Sequence, residues 1–164
     1  MRYFINIIII SLLLFSSCTK VQDNNIIIDK AFQNEEWSRF EFLEGQIEVK
    51  KVPAKYDVVM EVVVTDQYPN TYEMHQKDGS FLFNLTVYNS NGLYRSRDYK
   101  YRLKNSEGFW NAEKKNGCYT FHLPIMNELT LDDSDTYKFT IENKYSKDPL
   151  QGIKSLTLKY INTK

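Results

Sequence analysis

The sequence predicts an all-β chain of one domain, a single antiparallel β-sandwich of about seven or eight strands with a jelly-roll-like layout. Three observations carry this expectation. Apolar residues recur with period two along most of the chain, β-branched and aromatic side chains crowd those segments, and clusters of Gly, Asn, Asp, Ser and Pro cut them into short lengths. No stretch shows a convincing amphipathic helical period, so packed sheets are left as the way to bury the apolar faces.

Trp37-Ser38-Arg39-Phe40-Glu41-Phe42 opens the first expected strand, and Gln46 to Lys50 alternates polar and apolar beside it. Tyr56 to Thr65 is β-branched and nearly continuous, which predicts a central strand covered on both faces. Tyr68-Pro69-Asn70 breaks it, and residues 69–76 hold the one helical candidate, a turn or two long. Phe81 to Tyr88 forms the next strand, Asn89-Ser90-Asn91-Gly92 has the composition of a hairpin turn, and Leu93 to Leu103 returns antiparallel. Asn105-Ser106-Glu107-Gly108 ends that strand. Asn116-Gly117 then introduces Cys118 to Leu123, with Tyr119, Phe121 and Leu123 on one face and Cys118, Thr120 and His122 on the other; Pro124 is expected to stop it. Thr136 to Glu142 and Ile153 to Tyr160 complete the set, pointing Tyr137, Phe139, Ile141, Leu156 and Leu158 to one side.

The N-terminus reads differently. Arg2 precedes an apolar run from Tyr3 to Phe15, shorter than the ~20 residues a spanning helix needs and typical of a signal-peptide core. Leu14-Phe15-Ser16-Ser17-Cys18 sets small residues before a cysteine, as bacterial lipoprotein signals do, because a thiolate is the nucleophile that takes up a diacylglycerol thioether. Cys18 is therefore the expected lipidation site. Each buried methylene adds ~0.8 kcal/mol, and two or more chains anchor stably where one does not. The expected organisation is residues 1–17 as a signal peptide removed before Cys18, residues 18–30 as a lipidated N-terminus and polar tether, and residues 31–164 as the sandwich. The polar Thr19 to Asn25 lacks hydrophobic period and suits a tether. The location that follows is the cell envelope, membrane-anchored by lipid, facing the periplasm or at the outer membrane.

Basic and acidic residues number 21 each, and loss of Arg2 with the signal peptide barely alters the balance. A near-neutral chain offers no electrostatic case for nucleic acid. With Cys18 acylated, Cys118 stands alone between Gly117 and Tyr119 and reads as a buried, inert thiol. His75 and His122 lie far apart, and no H-E-x-x-H, C-x-x-C or G-x-S-x-G occurs. No catalytic residue, cofactor or metal site is expected, and a hydrolase triad assembled from distant residues is the weakest reading. Asp132-Asp133-Ser134-Asp135 lacks the glycine and distal glutamate of an EF-hand and reads as a solvated turn.

Twelve tyrosines and ten phenylalanines raise the question of sugar-stacking platforms, with Tyr68, Tyr72, Tyr94, Tyr99, Tyr101 and Trp110 as contributors. Such rings more often fill cores and cross-strand pairs. Arg95 and Arg97 share a strand face with Tyr99 and Tyr101, either a solvated stripe or part of a partner surface.

Several blocks in order resemble the GldH-type gliding-motility lipoproteins of Bacteroidota. They are Trp37-x-x-Phe40-x-Phe42; Tyr56-Asp57-Val58 with Val62-Val63-Val64 and Asp66-x-Tyr68-Pro69; Tyr101-x-Leu103 leading to Gly108-Phe109-Trp110; Tyr137-x-Phe139-x-Ile141; and Pro149-Leu150-x-Gly152-Ile153. The resemblance implies a non-enzymatic envelope lipoprotein with a structural or protein-interaction role, associated with gliding and type IX secretion machinery. Its partners would be membrane lipid, through palmitate or related chains on Cys18, and other envelope proteins. The alternative reading is a lipid-anchored glycan-binding β-sandwich module.

Overall fold

The computed structural model describes residues 25–69, 72–73, 76–77 and 79–163. Eight strands of six or more residues build it: β1 Ile26–Ala31, β2 Leu43–Glu48, β3 Ala54–Thr65, β4 Ser80–Asn89, β5 Gly92–Arg102, β6 Cys118–Leu131, β7 Thr136–Asn143 and β8 Ile153–Asn162. One sheet has the order β1-β8-β3-β6 and the other β2-β7-β4-β5, with every neighbour antiparallel. First strand pairs with last, second with seventh, third with sixth and fourth with fifth. This is a long hairpin wound into a jelly roll.

The winding sorts the connections. Residues 32–42, 66–69, 103–117 and 144–152 all lie at one end, the loop end. The short turns 49–53, 90–91 and 132–135 lie at the other, together with Asn25, whose carbonyl accepts from the Tyr160 N–H at 2.9 Å. Alternation fills the space between the sheets. Phe81, Phe83, Leu85 and Val87 of β4 and Tyr137, Phe139 and Ile141 of β7 are fully buried against Met60, Val62 and Val64 of β3 and Leu156 and Leu158 of β8. Each contributes on the order of 1.5–3 kcal/mol by leaving water.

Five expectations are corrected. The sandwich begins at Ile26, inside the segment assigned to the tether: a bulge between Ile26 and Ile28 turns both Ile27 and Ile28 inward, and β1 pairs with β8. Trp37 to Phe42 is not a strand. Glu36–Trp37 pairs briefly with Leu150–Gln151 and the chain then turns, leaving Phe40 and Phe42 in solvent. Strand β3 is paired on both sides, yet it is not covered on both faces, because its outer Val59, Glu61 and Val63 are only half-buried. Pro124 does not stop β6, which continues to Leu131 through two irregularities; beyond Tyr119 no strand pairs on its outer side, so the missing N–H leaves no ladder bond unmade. Within 69–76, the described residues are extended rather than helical, Tyr72–Glu73 pairing with Gln76–Lys77.

Candidate functional site

The two long sides of the sandwich are built differently. On the β1/β2 side the backbones touch. A Cβ on Gly45 would overlap the Ile27 carbonyl oxygen and stand 2.7 Å from Ile28 Cγ1, so only glycine lets β2 approach β1 this closely.

On the opposite side, β5 is the edge of its sheet, and β6 is flanked outside only by the two-residue strand Lys114–Lys115 at Cys118–Tyr119; no ladder joins β5 to β6. Pairing to β4 fixes which way β5 points: Arg95 is opposite Val87, Arg97 opposite Leu85, Tyr99 opposite Phe83 and Tyr101 opposite Phe81. Cross-strand partners share a face, so all four point toward the gap between the sheets. A bulge between Leu93 and Arg95 turns Tyr94 inward as well, edge-on to the buried Tyr137 at 5.5 Å. Two phenols cross the gap: the Tyr94 hydroxyl donates to the Thr130 carbonyl at 2.9 Å, and the Tyr101 hydroxyl donates to the Pro124 carbonyl.

Arg95, Arg97 and Tyr99 stand between these ties. The Tyr99 ring lies parallel to Phe83 at 5.1 Å and to Tyr101 at 6.3 Å, with the Arg97 guanidinium 5.3 Å from its centroid. Both arginines are exposed, and neither forms an ion pair with a carboxylate among the described residues. Tyr99 is 8% exposed, and its hydroxyl is buried without a hydrogen-bond partner among the described residues. Burial pushes its phenol pKa up, opposed by Arg97 and Arg95.

The loop end is the second surface. Phe40 is 78% exposed, Phe42 53% and Phe109 66%. The segment bearing the first two is pinned beneath: Arg39 donates its N–H to Asp148 at 2.7 Å and its Nη2 to the Tyr145 carbonyl at 2.7 Å, Trp37 Nε1 donates to the Glu41 carbonyl at 2.8 Å, and Glu41 pairs with Lys30. A cavity of about 320 Å³ opens beside it, lined by Tyr145, Lys147, Asp148, Pro149, Gln151 and Pro69. Across the end, Trp110 stacks on Tyr119 at 4.3 Å beneath Lys104 Nζ at 4.2 Å, and tilts 62° from Tyr68. Asp66 accepts from Lys114 and, at 3.0 Å, from the Tyr119 hydroxyl; these bonds hold its carboxyl below the usual range, the lysine's first. The rings of Tyr68 and Trp110 thus fasten a loop and form no flat platform.

The remaining candidates separate. His122 is exposed on the outer face, its Nδ1 3.6 Å from Glu61. Cys118 is half-buried on that same face beside Lys154 Nζ at 3.6 Å, not enclosed in the core as expected, because its alternate neighbours Tyr119 and Phe121 take the inner positions. The acidic turn is solvated, and Asp135 accepts from the N–H groups of Ser90 at 2.8 Å and Thr136 at 2.7 Å. Among the described residues no three His, Cys, Asp or Glu side chains gather for a metal. Cys18, His75 and the Tyr72 side chain lie outside the described residues. Sequence reasoning missed the exposed phenylalanines; the Gly108-Phe109 step was their one local signal, while Phe40 and Phe42 passed for strand residues.

No curated protein matches the sequence. Among solved structures, the chain is similar to a protein from Sulfurospirillum deleyianum at 14% identity, covering 84% of this chain and 98% of that one with a TM-score of 0.45. It is also similar to the insecticidal delta-endotoxin Cry8Ea1 from Bacillus thuringiensis at 12% identity, covering 82% of this chain and 20% of that one, TM-score 0.38. The profile of the GldH lipoprotein family matches residues 28–159, from the middle of β1 into β8. The match takes in both sheets and every loop between them, and the chain belongs to the GldH lipoprotein family.

Proposed function

We propose that this protein works by contact: a lipid on Cys18 holds it in the cell envelope, facing the periplasm or at the outer membrane, and its loop end docks a protein of the gliding or type IX secretion machinery. No chemistry of its own is required. The observation that carries the reading is the placement of Phe40, Phe42 and Phe109. Scattered single apolar residues are ordinary, but three large rings on one end suit a docking surface. Asn25 stands at the other end, close in sequence to Cys18, so an anchor there leaves the rings turned from the membrane. The exposed Val52 and Ile161 lie at the terminal end, on the anchor's side.

Two variants test this. Cys18→Ala should lose fatty-acid label and leave the membrane fraction, and label retained at wild-type level would refute the anchor. Phe40→Ser/Phe42→Ser/Phe109→Ser should fold, remain lipidated and lose co-purifying envelope proteins. If that variant kept its partners while alanine at His122 or Asp132 gave the deletion phenotype with partners still bound, the contact reading would fail and a chemical role would replace it.

A further inference from the structure

We propose that the open β5/β6 side is a binding site for an oxyanion, a carboxylate or phosphate group, gripped by the guanidinium forks of Arg95 and Arg97 and by the Tyr99 hydroxyl. The inference is independent of the docking surface at the loop end.

Arg95 and Arg97 stand two positions apart on one strand face, about 6–7 Å at ~3.3 Å per residue, so both forks reach a single anionic group placed between them. Guanidinium is planar and matches carboxylate and phosphate with paired N–H donors. Neither arginine has a carboxylate partner among the described residues, although each points toward the gap rather than away from the protein. Arg97 rests over the Tyr99 ring, which places its guanidinium and the phenol on the same face of β5.

The phenol supplies a separate argument. Buried hydroxyls are nearly always hydrogen-bonded, and Tyr94 and Tyr101 on the same strand both find carbonyls of β6. Tyr99 lies between them and finds none among the described residues. An oxyanion that draws Arg97 from over the ring would uncover this donor and accept from it.

Inward charges on an edge strand also discourage pairing with other chains. Lysine would serve that purpose equally, and it leaves the unpartnered phenol unaccounted for. That difference sets the experiment. The full chain, purified from membranes in neutral detergent, is titrated with sodium phosphate and with glucuronate at constant ionic strength, by calorimetry and by the NMR shifts of the arginine Nε–H groups. Saturable binding at millimolar or lower concentration is expected for at least one anion. Arg95→Lys/Arg97→Lys, which keeps the charge and loses the forks, should weaken it by about tenfold or more. Tyr99→Phe should raise the melting temperature, since it removes an unpaired hydroxyl, and still weaken the anion several-fold. Absence of saturable binding, or a double lysine variant that binds as the parent does, would overturn the site, as would Tyr99→Phe with unchanged affinity.

The source of the anion is read separately. In nanodiscs of phosphatidylcholine with added phosphatidylglycerol, lost phosphate binding would identify a lipid headgroup as occupant; binding equal to that in pure phosphatidylcholine would identify a free oxyanion.

Discussion

Along the β1/β2 side the sheets meet backbone to backbone at Gly45 and Ile27, whereas along the β5/β6 side they are held apart and tied by two tyrosine hydroxyls. Backbone closure at Gly45 leaves no room for a side chain there. Side-chain closure needs space, and the space admits Arg95, Arg97 and the ring of Tyr99. One sandwich thus carries a dry seam and a polar one, and the polar seam is where the sheet edges stay reachable.

The largest expected contrast is in amide protection. Residues Val58 to Val64 of β3 are paired on both sides, and Val58, Met60, Val62 and Val64 face the core, so the amides of this stretch should exchange only on global unfolding, which for a domain costs about 5–15 kcal/mol. Outward amides of β5 should exchange orders of magnitude faster. A hydrogen-exchange map with β3 among the fast strands would break the comparison.

Next comes the dry seam. Gly45→Val should cost roughly 3 kcal/mol by overpacking and should free β1 to local proteolysis, read by the urea midpoint and by cleavage near Ile26. A near-parental midpoint would mean that β1 and β2 can separate at little cost.

The ties of the polar seam are worth less. Tyr94→Phe and Tyr101→Phe each delete one hydrogen bond and should each cost about 1 kcal/mol. The double variant should be near-additive, because the two ties sit at different heights along β6. Strong coupling in the cycle would show instead that the seam opens as a unit.

The smallest effect concerns the loop fastened above that seam. Asp66 has its carboxyl pKa lowered by Lys114 and then Tyr119. A lowered folded value means the tie is fully present above the ordinary carboxylate range and is lost as pH falls through the lowered value, in acid solution. The Trp110 indole N–H resonance should therefore shift in acid, and Asp66→Asn should abolish that shift. A shift that persists in Asp66→Asn would assign it elsewhere.

Much of the fold is legible from local pattern. Alternation in Phe81 to Tyr88 and Thr136 to Glu142, the Asn89 to Gly92 turn and the return of β5 all appear where the period of two and the turn residues put them, since both signals act between near neighbours. The family blocks span the same strands. What local pattern misplaced has non-local causes. Ile26 to Lys30 falls within the expected tether, but β8 arrives to pair with it, the Asp29 carboxylate accepting from the Thr157 hydroxyl at 2.8 Å. Pro124 looks like a strand end until β6 proves to be open on its outer side beyond Tyr119.

By itself the sequence determined the strand class, the turns and the fact that Arg95, Arg97, Tyr99 and Tyr101 share a face. Only the tertiary structure decided that this face looks into the gap between the sheets, that β6 stands across from it, and that Tyr99 remains without a partner among the described residues while its neighbours reach carbonyls. The reason is geometric: a period of two groups side chains into two faces, but which face becomes interior depends on pairings with strands distant in the chain.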